Sequence, residues 1–548
     1  MGTKPLAPAA PAAFLRAGTY LLLCVVVAAA LRWPLLGKSL WFDEVCMSGQ
    51  RIGTTEQLLA TLYVDIHPPL FVGFMHFWAR LFGDGELALR LPALLAGLLS
   101  IPALWWTGHR LVGDAAARWG ALLLALSPVH VWYSVEARLY APMMLLTLLA
   151  FGTTERLCDE RHPRGRALWW LHVLNAATML GLHYYLAIVV VALAALAPVL
   201  ARGFTPMARR LVLWHGVLVL LLGVFVLGKQ ALGQFETQQD YLRTLTVGEL
   251  GHLVLGWCWA GDTMAPLGGG WRAAAWALEG LGALLLLLGL AAVLRANDRM
   301  RALLVPIGLL LLPLFLLALV ALGYGRTYME RSVIPALPFV LLLAGAGLAS
   351  LPRRGQRLAG GATLALATAA LASLFLHHEQ HWLVYKPNCD WRGAAQWLGQ
   401  EIENGGAGRA VFTPTPNARP LCYYDPRIQD VKNLALPRDP AQLGQSVGKR
   451  FGSWLGGLAE DTFRRFAAHK DALLAGSRLR VYRSAGDPGQ LQLRERNADD
   501  VCYLVRDHWH PHPSVDSTVE TLLKNPRVQV LAKAEFVGIT VHKVRILQ

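Results

Sequence analysis

Long apolar runs recur along the first two thirds of the chain. A membrane-spanning helix needs roughly 20 mostly apolar residues, and eleven runs fit this requirement: 14–31, 90–111, 116–134, 138–155, 167–182, 184–201, 211–228, 272–294, 302–322, 333–350 and 358–376. The first run could also be a signal peptide, but it lacks a clear small-residue cleavage site and further spans follow it. The pattern predicts a mainly α fold over residues 1–376, a polytopic membrane helix bundle of about 11 transmembrane helices.

One further apolar stretch is too short to span. Residues 68–82 read PPLFVGFMHFWARLF, and counting them as a span would reverse every later loop. Because that reversal would place the arginine clusters outside the cell, we interpret 68–82 as a helix in the outer interface, which its Trp and Phe content suits. Residues 32–89 then form one long outer loop.

Composition and charge support the same class of protein. Hydrophobic residues make up 55% and charged residues 16% of the chain, which excludes intrinsic disorder. A net charge of +15 would suggest nucleic acid as the partner of a soluble protein, but here the arginines lie between apolar runs and no nucleic acid is expected. With the N-terminus in the cytoplasm, the inside loops carry Arg156, Arg161, Arg164 and Arg166; Arg202, Arg209 and Arg210; Arg295, Arg299 and Arg301; and Arg353, Arg354 and Arg357.

The composition changes after residue 376. Residues 377–548 predict a soluble α/β domain on the outer side, with a helix over 390–403 that Asp390 could cap. The β-rich runs are 409–413, 479–483, 501–505 and 527–531, and a further helical pattern covers 517–524. In an oxidising exterior one pair among Cys389, Cys422 and Cys502 could be bridged, but the sequence does not say which.

Ionisable and aromatic residues gather in the connections on the outer side. Such groups at membrane depth are costly and usually functional. The segments are WFDEV with Asp43 and Glu44, DIHPPL with His67, GDGELALRLP with Glu86 and Arg90, WYSVEARLYAP with Glu136, Arg138 and Tyr140, GLHYY with His183 and Tyr184, and GYGRTYMERS with Arg326 and Arg331. We expect these groups to converge into one pocket at the outer membrane surface.

The residue types in these segments suit one kind of chemistry. A carboxylate can act as general base toward an acceptor hydroxyl, arginines can hold a phosphate by bidentate hydrogen bonds, and tyrosines can stack on a sugar. No nucleotide-binding motif is present, and an external site has no nucleotide-sugar supply. An activated sugar would therefore arrive on a lipid phosphate.

Structural explanations compete with several of these assignments. Asp43 could be a solvated carboxylate beyond a helix end, and Glu86 and Arg90, four residues apart, could form an ion pair on a helix. His183 could be an interface residue and Tyr184 an aromatic-belt anchor.

The order of these motifs resembles a known group of enzymes. WFDE, HPPL, ExxxRLP, SPxxVWYSxExRxY and RSxIPALPxVLLLAGxGL follow one another as in the membrane GT-C glycosyltransferases that use polyprenyl-phosphate sugars. This group includes protein O-mannosyltransferases and bacterial lipid A aminoarabinose transferases. The likeness is clearest over 40–150 and recurs at 324–350, and DWRGAAQWL resembles the start of the outer domain in bacterial members.

The resemblance implies a function, a location and roles for individual residues. It makes Asp43 the base, with Glu44 beside it and Glu136 as the second acidic position, and it places Arg138 and Arg331 toward the lipid phosphate. It implies an inverting transfer from a polyprenyl-phosphate-linked sugar donor to a lipid, glycan or protein acceptor. The site and the C-terminal domain would be periplasmic, at a bacterial inner membrane. The position of the domain beside the site suggests, separately from the resemblance, that it could help to select the acceptor.

Two questions stay open from the sequence. A divalent ion could be held by the carboxylate pair with His67 or His183, but no ligand spacing requires one, and no cofactor is certain. A transporter or flippase of lipid-linked glycans, or a glycan polymerase, is the alternative function. A transporter needs polar groups along a path through the membrane, whereas a transferase needs them at one face.

Overall fold

A computed structural model gives the fold of most of the chain. It describes residues 11–47, 67–159, 165–231, 242–264, 267–376, 389–404, 410–413, 419–425, 427–430, 479–483, 501–507 and 528–547, with 523–526 and a few single residues between them. The helices are α1 Pro11–Arg32, α2 Phe42–Met47, α3 Pro69–Phe82, α4 Glu86–Val112, α5 Asp114–Leu126, α6 Pro128–Tyr133, α7 Tyr140–Cys158, α8 Arg166–Leu182, α9 Leu186–Leu200, α10 Pro206–Ala231, α11 Val247–His252, α12 Cys258–Ala260, α13 Gly269–Arg295, α14 Arg299–Ala302, α15 Leu304–Leu319, α16 Leu337–Ser350, α17 Arg353–Leu376, α18 Trp391–Glu403 and α19 Arg419–Tyr424. The strands are β1 Ala410–Thr413, β2 Ile428–Asp430, β3 Leu479–Arg483, β4 Val501–Asp507, β5 Val528–Phe536 and β6 Ile539–Ile546.

The predicted membrane helices are present. By length and apolar composition, seven helical stretches of the described chain could cross a bilayer: Ala17–Leu35, Glu86–Val112, Pro206–Lys229, Gly269–Arg295, Arg299–Tyr324, Glu330–Ser350 and Arg353–Leu376. The other predicted spans coincide with α5 to α9, which are helical but shorter or less apolar, so the number of eleven stays a prediction. Residues 69–82 form the predicted short helix, with Leu70, Phe74, Phe77, Leu81 and Phe82 exposed along it.

One predicted span is broken in the structure. The run 116–134 divides into α5 and α6 at Ser127, because Pro128 has no backbone N–H and its ring disfavours a helical residue before it. Ser127 is extended and its side chain accepts a hydrogen bond from the backbone N–H of His130 at 3.3 Å. The short helix α6 therefore leads directly into the connection 134–139.

The chain divides into two compact units. The helical unit comprises Met1–Leu36, Arg90–Leu227 and Glu236–Leu376, and the sheet unit comprises Gly37–Leu89, Gly228–Phe235 and His377–Gln548. The predicted boundary after residue 376 coincides with the end of the helical unit. Most of the long loop 32–89 groups with the C-terminal residues, so the WFDE segment belongs to the sheet unit.

Close helix approach in the helical unit depends on glycines of α16. A Cβ atom on Gly345 would lie 2.3 Å from the carbonyl oxygen of Ala116 in α5, and one on Gly347 would lie 2.1 Å from that of Leu285 in α13. Small residues let helix backbones approach in membrane proteins. The AGAG run at 344–347 therefore places α16 between α5 and α13.

The sheet unit is built around a six-stranded mixed sheet in the order β2-β3-β1-β4-β6-β5. The first four strands in this order are parallel, and β6 is antiparallel to both β4 and β5. The predicted strands at 409–413, 479–483, 501–505 and 527–531 and the helix at 390–403 are all present, and Asp390 caps that helix by accepting from Gly393 N at 3.0 Å. Most of the predicted helix 517–524 lies outside the described residues.

The core of the sheet unit packs α18 and α19 against β4 and β6. Its buried side chains include Trp391, Leu398, Leu421, Tyr503 and Ile539. Cys389, Cys422 and Cys502 are buried thiols, so the disulfide considered from the sequence does not form among them. The hydrophobic core, the strand pairing and the Lys543–Glu401 ion pair therefore hold these elements together without a disulfide among these three cysteines.

Candidate active site

The WFDE segment opens the short helix α2. Asp43 and Glu44 lie in its first turn, where negative charge is favourable beside the unsatisfied backbone N–H groups. Glu44 is fully buried, and its Oε2 accepts a hydrogen bond from the backbone N–H of Trp41 at 3.3 Å. Asp43 is half-buried. The adjacent acids thus differ: Glu44 holds the helix start, and Asp43 is the more accessible carboxylate.

Glu86 and Arg90, four residues apart at the start of α4, each have partners outside that helix. Glu86 Oε1 accepts from the hydroxyl of Tyr424 at 3.0 Å and lies 3.5 Å from Nη1 of Arg392. Arg90 is buried and donates from Nη1 to the carbonyl oxygens of Leu36 at 2.8 Å and Leu35 at 3.4 Å. Arg90 therefore satisfies the backbone just beyond α1.

Two arginines and an aromatic ring meet in the helical unit. Arg138 lies in the connection between α6 and α7, and Arg331 is the second residue of the 3-10 helix Glu330–Ala336 that leads into α16. The guanidinium carbon of each lies 5.8 Å from the centroid of the Tyr140 ring. Tyr140 is the first residue of α7 and also packs edge-to-face on Tyr133 at 5.1 Å. The structure thus brings together three predicted site residues from two distant segments.

The connection 134–139 is buried despite its polar sequence. Glu136 is 2% and Arg138 is 5% exposed, and Arg138 N donates to the backbone oxygen of Glu136 at 2.6 Å. A buried carboxylate and a buried guanidinium are retained at a desolvation cost, which is typical of functional sites and of structural ion networks.

The segment 324–331 is held by residues that the sequence did not single out. The hydroxyl of Tyr185 donates to the carbonyl oxygen of Thr327 at 2.9 Å. Arg243 forms an isolated β-bridge with Tyr328 and an ion pair with Glu330. Burial raises the pKa of the Tyr328 phenol. The adjacent tyrosines of the GLHYY segment could have indicated Tyr185 as a site residue. No sequence pattern indicates that Arg243 pairs with the backbone of Tyr328.

The other predicted site residues differ in how far they are exposed to solvent. Arg326 is exposed, and His183 and Tyr184 are half-buried. His183 Nδ1 accepts from the backbone N–H of Tyr185 at 3.2 Å, so it supports the turn before α9. His67, in the sheet unit, is half-buried directly before the prolines that begin α3. The predicted convergence of Asp43 with Glu136, Arg138 and Arg331 stays a prediction.

The donor set for a metal ion is incomplete in the part of the chain that the structure describes. No group of three or more His, Cys, Asp or Glu side chains there could hold an ion. His67 and His183 belong to different units. The divalent ion considered from the sequence therefore stays a prediction.

Comparison with known proteins gives one family match and a shared fold. The family described as dolichyl-phosphate-mannose-protein mannosyltransferase matches residues 66–227. ArnT from Cupriavidus metallidurans in the apo state superposes with a TM-score of 0.55 at 14% identity, covering 96% of this chain and 98% of that chain. The same protein bound to undecaprenyl phosphate gives 0.53 at 13% identity over the same shares of 96% and 98%. No curated protein matches the chain.

These matches confirm the resemblance inferred from the sequence and the membrane helix bundle with a C-terminal sheet domain. The chain is a multi-pass membrane protein with the fold of ArnT over nearly its whole length. The predicted class of enzyme, a glycosyltransferase, is confirmed by the family match together with that fold.

Proposed function

We propose that the protein moves a sugar from a polyprenyl-phosphate carrier to an acceptor hydroxyl or phosphate on a lipid, glycan or protein, at the outer face of a bacterial inner membrane. The observation that carries this proposal is the pair of guanidinium groups, Arg138 and Arg331, on the single ring of Tyr140. Two cations from distant segments at one aromatic residue favour a bound anion there.

The donor is inferred from the chemistry of this pair. Guanidinium groups bind phosphate oxygens through parallel, charge-assisted hydrogen bonds, and an aromatic ring can pack on a sugar or an isoprenoid. The ArnT structure that shares this fold was solved with undecaprenyl phosphate. A lipid phosphate is the anion that both observations support.

The proposed reaction is a single displacement. Asp43 removes the proton of the acceptor hydroxyl while that oxygen attacks the anomeric carbon. The bond from this carbon to the phosphate oxygen breaks, and the phosphate leaves with the bonding electrons, stabilised by Arg138 and Arg331. Because attack comes from the face opposite the leaving group, the anomeric configuration inverts. Glu44 positions Asp43, and Glu136 stays a second acidic candidate.

The outer location is supported by the distribution of arginines between the spans. The loops assigned to the cytoplasm carry more arginines per residue than the outer connections, which agrees with the positive-inside rule. The WFDE segment follows α1 at the opposite end from the N-terminus. An acceptor on the outer side follows from this orientation.

The alternative function, a transporter, would need polar groups along a path through the membrane. Buried polar side chains do occur inside the helical unit, and in one cluster Thr153 contacts His172 at 2.8 Å and His172 contacts His215 at 2.9 Å. These three buried side chains hydrogen-bond to one another, which is typical of contacts that join membrane helices. The transferase is therefore the function that we prefer.

The test is Asp43→Asn in purified protein, given a labelled lipid-linked sugar and a membrane-envelope acceptor fraction. A positioned general base contributes roughly 100- to 10,000-fold, so turnover should fall within that range while the unfolding midpoint stays unchanged. Asp114→Asn is the matched control, since Asp114 is half-exposed and pairs with Arg118 one helical turn away. Near-normal turnover of Asp43→Asn would reject Asp43 as the base, and NMR of the product tests inversion.

A further inference from the structure

The backbone just before the WFDE segment is anchored by a tyrosine hydroxyl from the C-terminal part of the sheet unit. The N–H of Leu40 donates to Oη of Tyr424 at 2.6 Å, and the same hydroxyl donates to Oε1 of Glu86 at 3.0 Å. A tyrosine hydroxyl has one proton to donate and lone pairs to accept, so it can make both bonds at once. Tyr424 thus joins two segments of the long loop, one of which leads into α2.

A second anchor holds the residues next to Leu40. The hydroxyl of Ser39 donates to Oδ1 of Asp390 at 3.0 Å and accepts from the backbone N–H of Arg392 at 3.2 Å. Arg392 also donates from Nη2 to the carbonyl oxygen of Gly37 at 2.5 Å. Because Asp390 caps α18, the first turn of that helix is tied to residues 37–39.

These anchors determine where α2 begins. Leu40 is fully buried and Trp41 is 4% exposed, so the Leu40 N–H would be costly to leave without an acceptor. Only Trp41 and Phe42 separate Leu40 from Asp43. A displacement of the Leu40 backbone would therefore shift the Asp43 carboxylate.

We infer that Tyr424 is a positioning residue for Asp43 and acts through the backbone of Leu40. The inference rests on the proposed function, in which Asp43 is the base. Misplacing a catalytic group by about 1 Å can cost on the order of 100-fold in rate. The C-terminal α/β domain would then position the proposed base, in addition to any part in choosing the acceptor.

The experiment compares Tyr424→Phe with Tyr423→Phe. Each variant loses one hydroxyl from adjacent residues of α19. The hydroxyl of Tyr423 donates to the carbonyl oxygen of Asp84, whereas that of Tyr424 accepts from the Leu40 N–H. We expect Tyr424→Phe to lower kcat by about 10- to 100-fold with KM for the donor changed less than about 3-fold. Tyr423→Phe should keep kcat within about 2-fold, and both should unfold near the wild-type temperature.

Hydrogen exchange gives a readout that does not depend on activity. The Leu40 amide should exchange slowly in the wild type and in Tyr423→Phe, and much faster in Tyr424→Phe. If Tyr424→Phe fails to fold, Ser39→Ala replaces it, because it removes the neighbouring anchor and should lower kcat in the same direction by about 3- to 10-fold. These results together would support the inference.

Asp43→Asn, assayed in parallel, separates the two possible failures. If Asp43→Asn is inactive while Tyr424→Phe turns over within about 2-fold of the wild type, the positioning role is wrong and the proposed function stands. Equal losses in the two tyrosine variants, or a loss confined to KM, would also overturn it. If Asp43→Asn is active, the base assignment fails first and the positioning role fails with it.

Discussion

The helical unit carries charged side chains at both ends of α7, and the two ends differ in how the charges are arranged. At the C-terminal end, Glu155 and Asp159 lie between Arg110 and Arg301, with nitrogen–oxygen distances of 2.5 to 3.3 Å in four ion pairs. At the N-terminal end, Arg138 and Arg331 both face the ring of Tyr140.

The difference separates a structural network from a candidate binding site. Two acids and two arginines at the C-terminal end compensate one another and tie α4, α7 and the start of α14 together. The N-terminal end places two guanidinium groups at one aromatic ring, where we propose that the donor phosphate binds. Buried charge alone therefore does not distinguish a binding site from a structural network.

The largest expected effect on stability comes from breaking the compensated end. Glu155→Ala removes one of the two carboxylates that pair with Arg110 and Arg301. Removing one partner of a buried ion pair costs roughly 3–5 kcal/mol of folding stability. Both arginines are about a quarter exposed, at 23% and 22%, so we expect a value near about 3 kcal/mol. The measurement is the unfolding midpoint in detergent, with turnover per folded molecule unchanged.

A matched control for this prediction is Glu460→Ala. Glu460 pairs with Arg464, whose side chain is 66% exposed, so its loss should change stability by less than about 1 kcal/mol. If Glu155→Ala lowered turnover without lowering stability, the C-terminal end of α7 would have a functional role, and the comparison of the two ends would break down.

The next effect tests the other end of α7. Arg331→Gln removes one of the proposed phosphate-binding groups, and a hydrogen bond to a charged group contributes about 1.5–3 kcal/mol. We therefore expect kcat/KM for the lipid-linked donor to fall by about 10- to 150-fold, with little change in stability. Binding of undecaprenyl phosphate to purified protein should weaken in parallel. Arg118→Gln is the control, because Arg118 pairs with Asp114 on α5.

Both outcomes in that comparison are informative. Unaltered phosphate binding in Arg331→Gln would show that Arg331 does not bind the donor phosphate and that its stacking on Tyr140 is a structural contact. A loss of binding in Arg331→Gln and in Arg118→Gln alike would indicate a general charge effect.

Much of the fold could be predicted from local patterns. Apolar length predicted α1, α4, α10, α13 and α17, and alternating β-rich runs predicted four strands of the sheet to within a few residues. These features depend on the sequence within each element. The break at Ser127 was also readable in principle, because Pro128 restricts the residue before it, but the apolar run concealed it.

Contacts between distant segments could not be predicted. Glu155 was included at the end of a predicted span and Asp159 in a loop, yet their partners Arg110 and Arg301 come from other helices. Tyr140 was predicted as a site residue, but the sequence could not show that Arg331 reaches the same ring. Tyr424 carried no signal at all, since its role depends on the approach of α19 to the long loop.

The smallest effect concerns a titratable pair in the connection between α10 and α13. His252 Nε2 lies 3.4 Å from Oδ1 of Asp262, and the hydrogen bond to this carboxylate raises the pKa of His252, with Glu249 and Glu279 adding to the shift. A histidine whose pKa is higher in the folded state stabilises the protein below its unfolded pKa, and this contribution is lost as the pH rises through the folded pKa.

Asp262→Asn should therefore lower the unfolding midpoint at pH about 6 and lower it less as the pH rises to about 8.5, because the stabilisation from protonated His252 is lost as the pH rises through its folded pKa. Since His252 is 52% exposed, the effect should stay below about 1 kcal/mol. Asp262 has a left-handed backbone with φ of 55°, which Asn tolerates well, so the variant tests charge without adding strain. An equal effect at both pH values would show that the contact is structural, whereas a pH-dependent effect would show that the charge of His252 contributes to stability in this connection.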